Sequence, residues 1–142
     1  MATSFKVGDT FEGDFVFTAE NITRTATLLG DANPVHHIAS PAYGTVIACG
    51  AHIAGLMMSL GAARITERSP SLGRTWNFRF RAPVLAGDTL HAVIRITAIE
   101  PHRRGPMISF AGEGAVERDG ARIVAVTTDG TAILLESHEP HH

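Results

Sequence analysis

The sequence predicts an α+β fold in which an antiparallel sheet wraps one long apolar helix. Three observations carry this. Ile47 to Ala63 is apolar nearly all round, which suits a helix enclosed by other elements. The second half of the chain alternates apolar and polar residues at the period of a strand. Ala86-Gly87-Asp88, Arg103 to Pro106 and Asp119-Gly120 are turn signals that cut this half into a meander.

The elements follow in order. Thr10 to Thr18 reads as a strand anchored by Phe11, Phe15 and Phe17. Glu20 to Leu29 reads as a short helix, with Thr18 as N-cap and Ile22, Ala26 and Leu29 on one face. Gly30 ends it, because glycine tolerates left-handed backbone. Asp31 to Gly44 is a loop punctuated by Pro34, Pro41 and Gly44. The long helix then runs from Ile47 to Ala63, with Arg64 and Arg68 near its C-terminal end, where cations suit the helix dipole. In Arg74 to Arg81, Trp76, Phe78 and Phe80 share one strand face and Asn77, Arg79 and Arg81 the other. Thr89 to Ile99, Ile108 to Glu117 and Arg122 to Leu135 are the remaining strands.

The 142 residues fit a single domain, expected over residues 1–135, with 136–142 as a flexible tail. Hydrophobic residues at 44% and charged residues at 18% favour a packed core over disorder. A net charge of −2 argues against a nucleic-acid-binding protein, which usually carries a basic stripe. The apolar run is short for a membrane span and carries His52 and three glycines, so no membrane association is expected. Cys49 is the one cysteine and the N-terminal residues show no secretory pattern, so a reducing, cytoplasmic setting is expected. No metal-ligand spacing and no glycine-rich phosphate loop appears, so neither a metal nor a cofactor is expected.

The segment Gly30-Asp31-Ala32-Asn33-Pro34-Val35-His36 carries the chemistry. Pro34 fixes its own φ and biases Asn33 toward extended backbone. Such a rigid link can bring the carboxylate of Asp31 and the imidazole of His36 to one small site. Together the two can hold a water and move its proton. On spacing alone the alternative is ordinary turn chemistry, in which Asp and Asn side chains bond their own backbone and the histidine lies at the surface.

The segment resembles the signature of the MaoC-like, R-specific enoyl-CoA hydratases, Gly-Asp-x-Asn-Pro-aliphatic-His. Gly30, Asp31, Asn33, Pro34, Val35 and His36 match it. Ile47, Ala48 and Gly50 match an Ile-Ala-x-Gly element that opens the central helix. Phe80, Pro83, Val84, Gly87 and Asp88 match a later Phe-x-x-Pro-Val-x-x-Gly-Asp stretch. The resemblance implies a hotdog fold and an assembly of two or more copies. It implies an acyl-CoA or acyl-carrier-protein thioester as substrate. It implies that Asp31 and His36 activate the water that adds across a trans-2-enoyl thioester, or remove it in the reverse dehydration. It also implies that the Gly50 N–H, at a helix N-terminus, holds the thioester oxygen.

The chain departs from that pattern at His36-His37-Ile38, where the family often continues His-x-Asp, and at Cys49, where many members carry histidine. The stretch between His36 and Gly50 is also shorter than usual. Cys49, His52, Leu56 and Ser59 share one helix face at i, i+3, i+7 and i+10. They read either as small polar groups bonded in the core or across a dimer contact, or as a stripe facing the substrate; a Cys49–His52 nucleophilic pair is a third reading. Asn33, Cys49, His52 and Ser59 are the candidate substrate contacts. His37 reads as exposed. Arg79, Arg81, Arg103 and Arg104 read either as solvated charges or as partners for CoA phosphates. The competing activities are a thioesterase on the same fold and a non-catalytic subunit that binds acyl thioesters.

Overall fold

The strands read from alternation pair into one antiparallel sheet. The computed structural model describes residues 5–135, so the expected tail lies outside the described residues. Chain order is β1 (Thr10–Val16), α1 (Ala19–Leu28), a 3₁₀ turn (Pro34–His36), α2 (Gly50–Thr66), β2 (Ser71–Phe80), β3 (Thr89–Glu100), β4 (Met107–Arg118) and β5 (Ala121–Leu134). The sheet order is β1-β3-β4-β5-β2, so β1 and β2 are its edges. The β4–β5 hairpin closes at Asp119 and Gly120, whose φ values of 52° and 77° meet the demand of a tight hairpin turn.

Helix α2 lies on this sheet through Ile53, Met57, Leu60, Gly61 and Ile65, all buried. A Cβ at Gly61 would come within 3.2 Å of the Trp76 ring, so glycine there lets the helix and β2 approach closely. Leu90, Ala92, Ile94 and Ile96 of β3 and Ile108 and Phe110 of β4 complete this layer. Trp76 packs on Phe110 with ring centroids 4.5 Å apart and stacks on Phe78 at 5.6 Å. The alternation read in β2 therefore has a clear cause: its aromatic face meets the helix.

Three expectations are corrected. The long helix begins at Gly50, not Ile47, because Ile47 is spent in extended backbone. Its N–H donates to the Val35 carbonyl, and it bridges Leu85. The helix is not enclosed all round within one chain: Ala51, Gly55, Met58 and Ala62 are exposed along its outer side. Leu29 caps α1 and is 53% exposed, so it leaves the face of Ile22 and Ala26, which are buried. Thr18 does cap α1, accepting from the Asn21 N–H in a reciprocal capping box.

The loop after β2 is held by a buried ion pair. Asp88 is 7% exposed and accepts from Arg118 at 2.6 Å and from the Leu85 N–H at 2.7 Å. Arg118 also donates to the Pro83 carbonyl. The Ala48 N–H donates to the Val84 carbonyl, which fastens this loop to the segment that leads into α2. The Pro-Val-x-x-Gly-Asp stretch is thus the brace behind the start of the central helix. Among the described residues no helix is long and apolar enough to cross a membrane.

Candidate active site

Asp31 hangs from the end of α1. Gly30 turns the chain at φ 76°, and the Asp31 N–H donates to the Ala26 carbonyl at 2.8 Å. The next residues wind into the 3₁₀ turn. Asn33 caps it, its side-chain oxygen accepting from the Val35 N–H at 3.3 Å, and Pro34 supplies the first helical position. Asp31 Oδ1 accepts from the Asn33 N–H at 3.0 Å. The turn chemistry and the converging pair, alternatives on spacing alone, are therefore both present: one carboxylate oxygen serves the turn and the other is left for His36.

His36 Nε2 stands 3.2 Å from Asp31 Oδ2. The imidazole is buried, whereas the carboxylate side chain is 39% exposed, so solvent reaches the pair from the aspartate side. His36 Nδ1 lies 2.6 Å from the Ile47 carbonyl oxygen. A carbonyl only accepts, so Nδ1 carries a proton and Nε2 faces the carboxylate. Two acceptors do not attract each other. A proton shared between Nε2 and Oδ2, or a water bound beside them that donates to the pair, satisfies both.

The surroundings fix this geometry from three sides. The Thr23 hydroxyl of α1 donates to the His36 carbonyl at 2.9 Å. The Ile47 N–H donates to the Val35 carbonyl at 2.9 Å, which ties the loop to the residues just before α2. His37 Nε2 donates to the Asp31 carbonyl at 2.7 Å. His37 is half-buried, not the exposed residue expected, because its ring folds back over the loop. Thr23, His37 and the His36 ring each bond a main-chain carbonyl, and no spacing in the sequence signals them.

Gly50 is the first residue of α2, three residues past Ile47, and its N–H belongs to the free first turn of the helix. A Cβ there would sit 3.0 Å from the Phe80 ring, so that ring covers the helix start. Cys49 is buried and free, at the N-cap position with no side-chain capping bond. His52 packs on Phe17 with ring centroids 4.7 Å apart. Its Nδ1 is buried without a partner, and burial lowers its pKa below the ordinary imidazole value. Ser59 is exposed and lies about 13 Å along α2 from Gly50. The fold thus gathers Asp31, Asn33 and His36 in one turn, links them to Cys49 and Gly50 through Ile47, and leaves Ser59 apart. Among the described residues no group of three His, Cys, Asp or Glu side chains is arranged to hold a metal ion.

Residues 6–111 match the model of the MaoC like domain. The chain belongs to the MaoC-like domain family. This MaoC-like chain has the hotdog arrangement of its structural neighbours. One is the (R)-hydratase from A. caviae involved in PHA biosynthesis. It is 26% identical, with 94% of this chain and 99% of that chain covered and a TM-score of 0.79. Two more share the fold. The R-hydratase PhaJ1 from Pseudomonas aeruginosa is 22% identical, covers 94% and 84%, and has a TM-score of 0.71. A chain of the HadBC (3R-hydroxyacyl-ACP dehydratase) complex from Mycobacterium tuberculosis is 16% identical, covers 94% and 99%, and has a TM-score of 0.74. No curated protein matches this MaoC-like chain.

Proposed function

We propose that this MaoC-like protein is a hydro-lyase that adds water to a trans-2-enoyl thioester to give an (R)-3-hydroxyacyl thioester, or runs the reverse dehydration. The observation that carries the reading is the buried His36 ring, pinned through Nδ1 to a backbone carbonyl and aimed through Nε2 at Asp31 Oδ2. A water bound beside the pair donates to it. As its oxygen bonds to C3, the pair accepts a proton, and a proton is returned to C2. Charge develops on the thioester oxygen, which the Gly50 N–H receives at the positive end of α2.

The thioester is that of CoA or an acyl-carrier protein. Asn33 and Cys49 flank the reacting groups in the chain and are proposed as contacts near the thioester. His52 and Ser59 lie along one side of α2, so an acyl chain running up that side meets them in turn. A second copy of the chain fits the exposed edge of β2, where Leu72 is 39% and Phe80 52% exposed. A cytoplasmic setting suits the free, buried Cys49.

The test is product analysis on trans-2-enoyl thioesters of graded length, beginning with crotonyl-CoA. Loss of enoyl absorbance without release of thiol is expected. Stoichiometric free thiol would make the protein a thioesterase, and absence of turnover across the panel would leave a binding subunit. Asp31→Asn should cut hydration by at least about 10²-fold while the protein stays folded.

A further inference from the structure

Two adjacent histidines close on one aspartate. His36 meets the carboxylate of Asp31, and His37 Nε2 donates to its backbone carbonyl at 2.7 Å. We infer that His37 is a positioning residue for catalysis, holding the Asp31 carboxylate at its working angle to His36; this role rests on the hydration reading above.

Few rotations remain open in the loop. Upstream, Asp31 is tied to α1 through its N–H to the Ala26 carbonyl. Downstream, the turn is closed by the His36 N–H to the Asn33 carbonyl and by the His37 N–H to the Pro34 carbonyl. His36 is further fixed to Ile47 and Thr23. Both partners of the pair are therefore mounted on firm supports, but on different ones. The main-chain rotations that relate the two supports are those between Asp31 and Asn33. Ala32 in that stretch is exposed and has no side chain that reaches a partner. The bond from Asn33 N–H to Asp31 Oδ1 restrains the side chain, not the carbonyl. His37 supplies the missing restraint on the peptide plane itself. Every polar atom of Asp31 is then engaged: N, O, Oδ1, and Oδ2 toward His36.

Without that bond the Asp31–Ala32 peptide can turn, and the carboxylate shifts relative to Nε2. Displacements near 1 Å at a reacting group cost on the order of 10²-fold in rate. His37 does not touch substrate in this account, so the loss should fall on kcat. The family pattern leaves position 37 unspecified and the chain departs from it at Ile38, so the restraint is a property of this chain's own residue.

The test is kinetic, with the best trans-2-enoyl-CoA of the panel. His37→Ala should lower kcat about 10- to 100-fold and leave KM within about threefold. His37→Gln, whose amide nitrogen reaches the place of Nε2, should recover most of the rate. His37→Asn, whose amide stops short, should not. In an Asp31→Ala background, His37→Ala should add less than about a further twofold loss, because it acts only through Asp31. If His37→Ala fails to fold, the Gln and Asn variants carry the comparison. Equal rates for Gln and Asn, or full additivity with Asp31→Ala, would overturn the positioning role and leave hydration standing. Undiminished hydration by Asp31→Ala alone would overturn both.

Discussion

His36 and His91 each sit against carboxylate, in two regions built for different ends. His36 faces Asp31 at 3.2 Å from a buried position, and its other nitrogen meets the neutral carbonyl of Ile47. His91 lies on the exposed face of β3, opposite Asp14 of β1 in register. Its Nδ1 is 2.6 Å from Asp14 and its Nε2 3.0 Å from Glu12. Both nitrogens there face carboxylates, which favours the imidazolium. Its pKa is raised, first by the hydrogen bond to Asp14. A ring whose two nitrogens both hold carboxylates gives up its proton reluctantly. The comparison teaches that a carboxylate neighbour does not by itself make a histidine a base. What distinguishes His36 is that one nitrogen is committed to a neutral acceptor, which leaves the other to face a single, partly exposed carboxylate.

The largest expected effect breaks this comparison directly. His36→Gln should reduce hydration about 10²- to 10⁴-fold, whereas His91→Gln should leave it within about twofold. Steady-state rates of the two variants side by side settle whether the regions differ as argued. A third charge pair sharpens the contrast by removing solvent without adding chemistry. Arg118→Met strands the buried carboxylate of Asp88 and should cost about 3–5 kcal/mol of stability in urea unfolding. A loss below about 1 kcal/mol would mean that the loop behind α2 is braced some other way.

A smaller effect concerns crowding at the helix start. Gly50→Ala presses a methyl group on Phe80 and should lower kcat/KM about tenfold, with Phe80→Ala in the same chain restoring much of it. If Phe80→Ala restores nothing, the ring is not what limits that position. The smallest effect is the pH dependence of stability. The folded pKa of His91 lies above its unfolded value of about 6.5, so its contribution is present below that pH and fades as pH rises through the folded value. At an exposed site this amounts to less than about 1 kcal/mol. His52 runs the other way, because burial lowers its folded pKa and stability is lost as pH falls below about 6.5. Unfolding of His91→Gln and His52→Gln across pH 5 to 9 should show the two trends with opposite sign.

Much of this was legible in the residues because the relevant physics is local. Phe11, Phe17, Trp76 and Phe78 mark strand faces by simple alternation, and Thr18 and Gly30 bracket α1 by capping and left-handed backbone. Asp31 and His36 converge because Asn33 and Pro34 impose a turn that the four intervening residues can close. The rest depends on contacts between distant segments. Asp88 finds Arg118 thirty residues on, and Ile47 leaves the expected helix because Val35 and Leu85 claim its backbone. His37 is half-buried where its sequence context suggests exposure, because its partner is a carbonyl, which carries no sequence signature. The outer side of α2 looked enclosed because an apolar helix does not reveal how much of it one chain covers.

The Ile47 carbonyl has a consequence for how the protein tolerates change. Every residue type at position 47 brings the same oxygen, so no point substitution there deletes the group that sets which His36 nitrogen is protonated. The tautomer is encoded in the path of the chain rather than in any side chain. Random mutagenesis will therefore find few single changes that scramble it, while an insertion or deletion between Gly44 and Gly50 should do so at once.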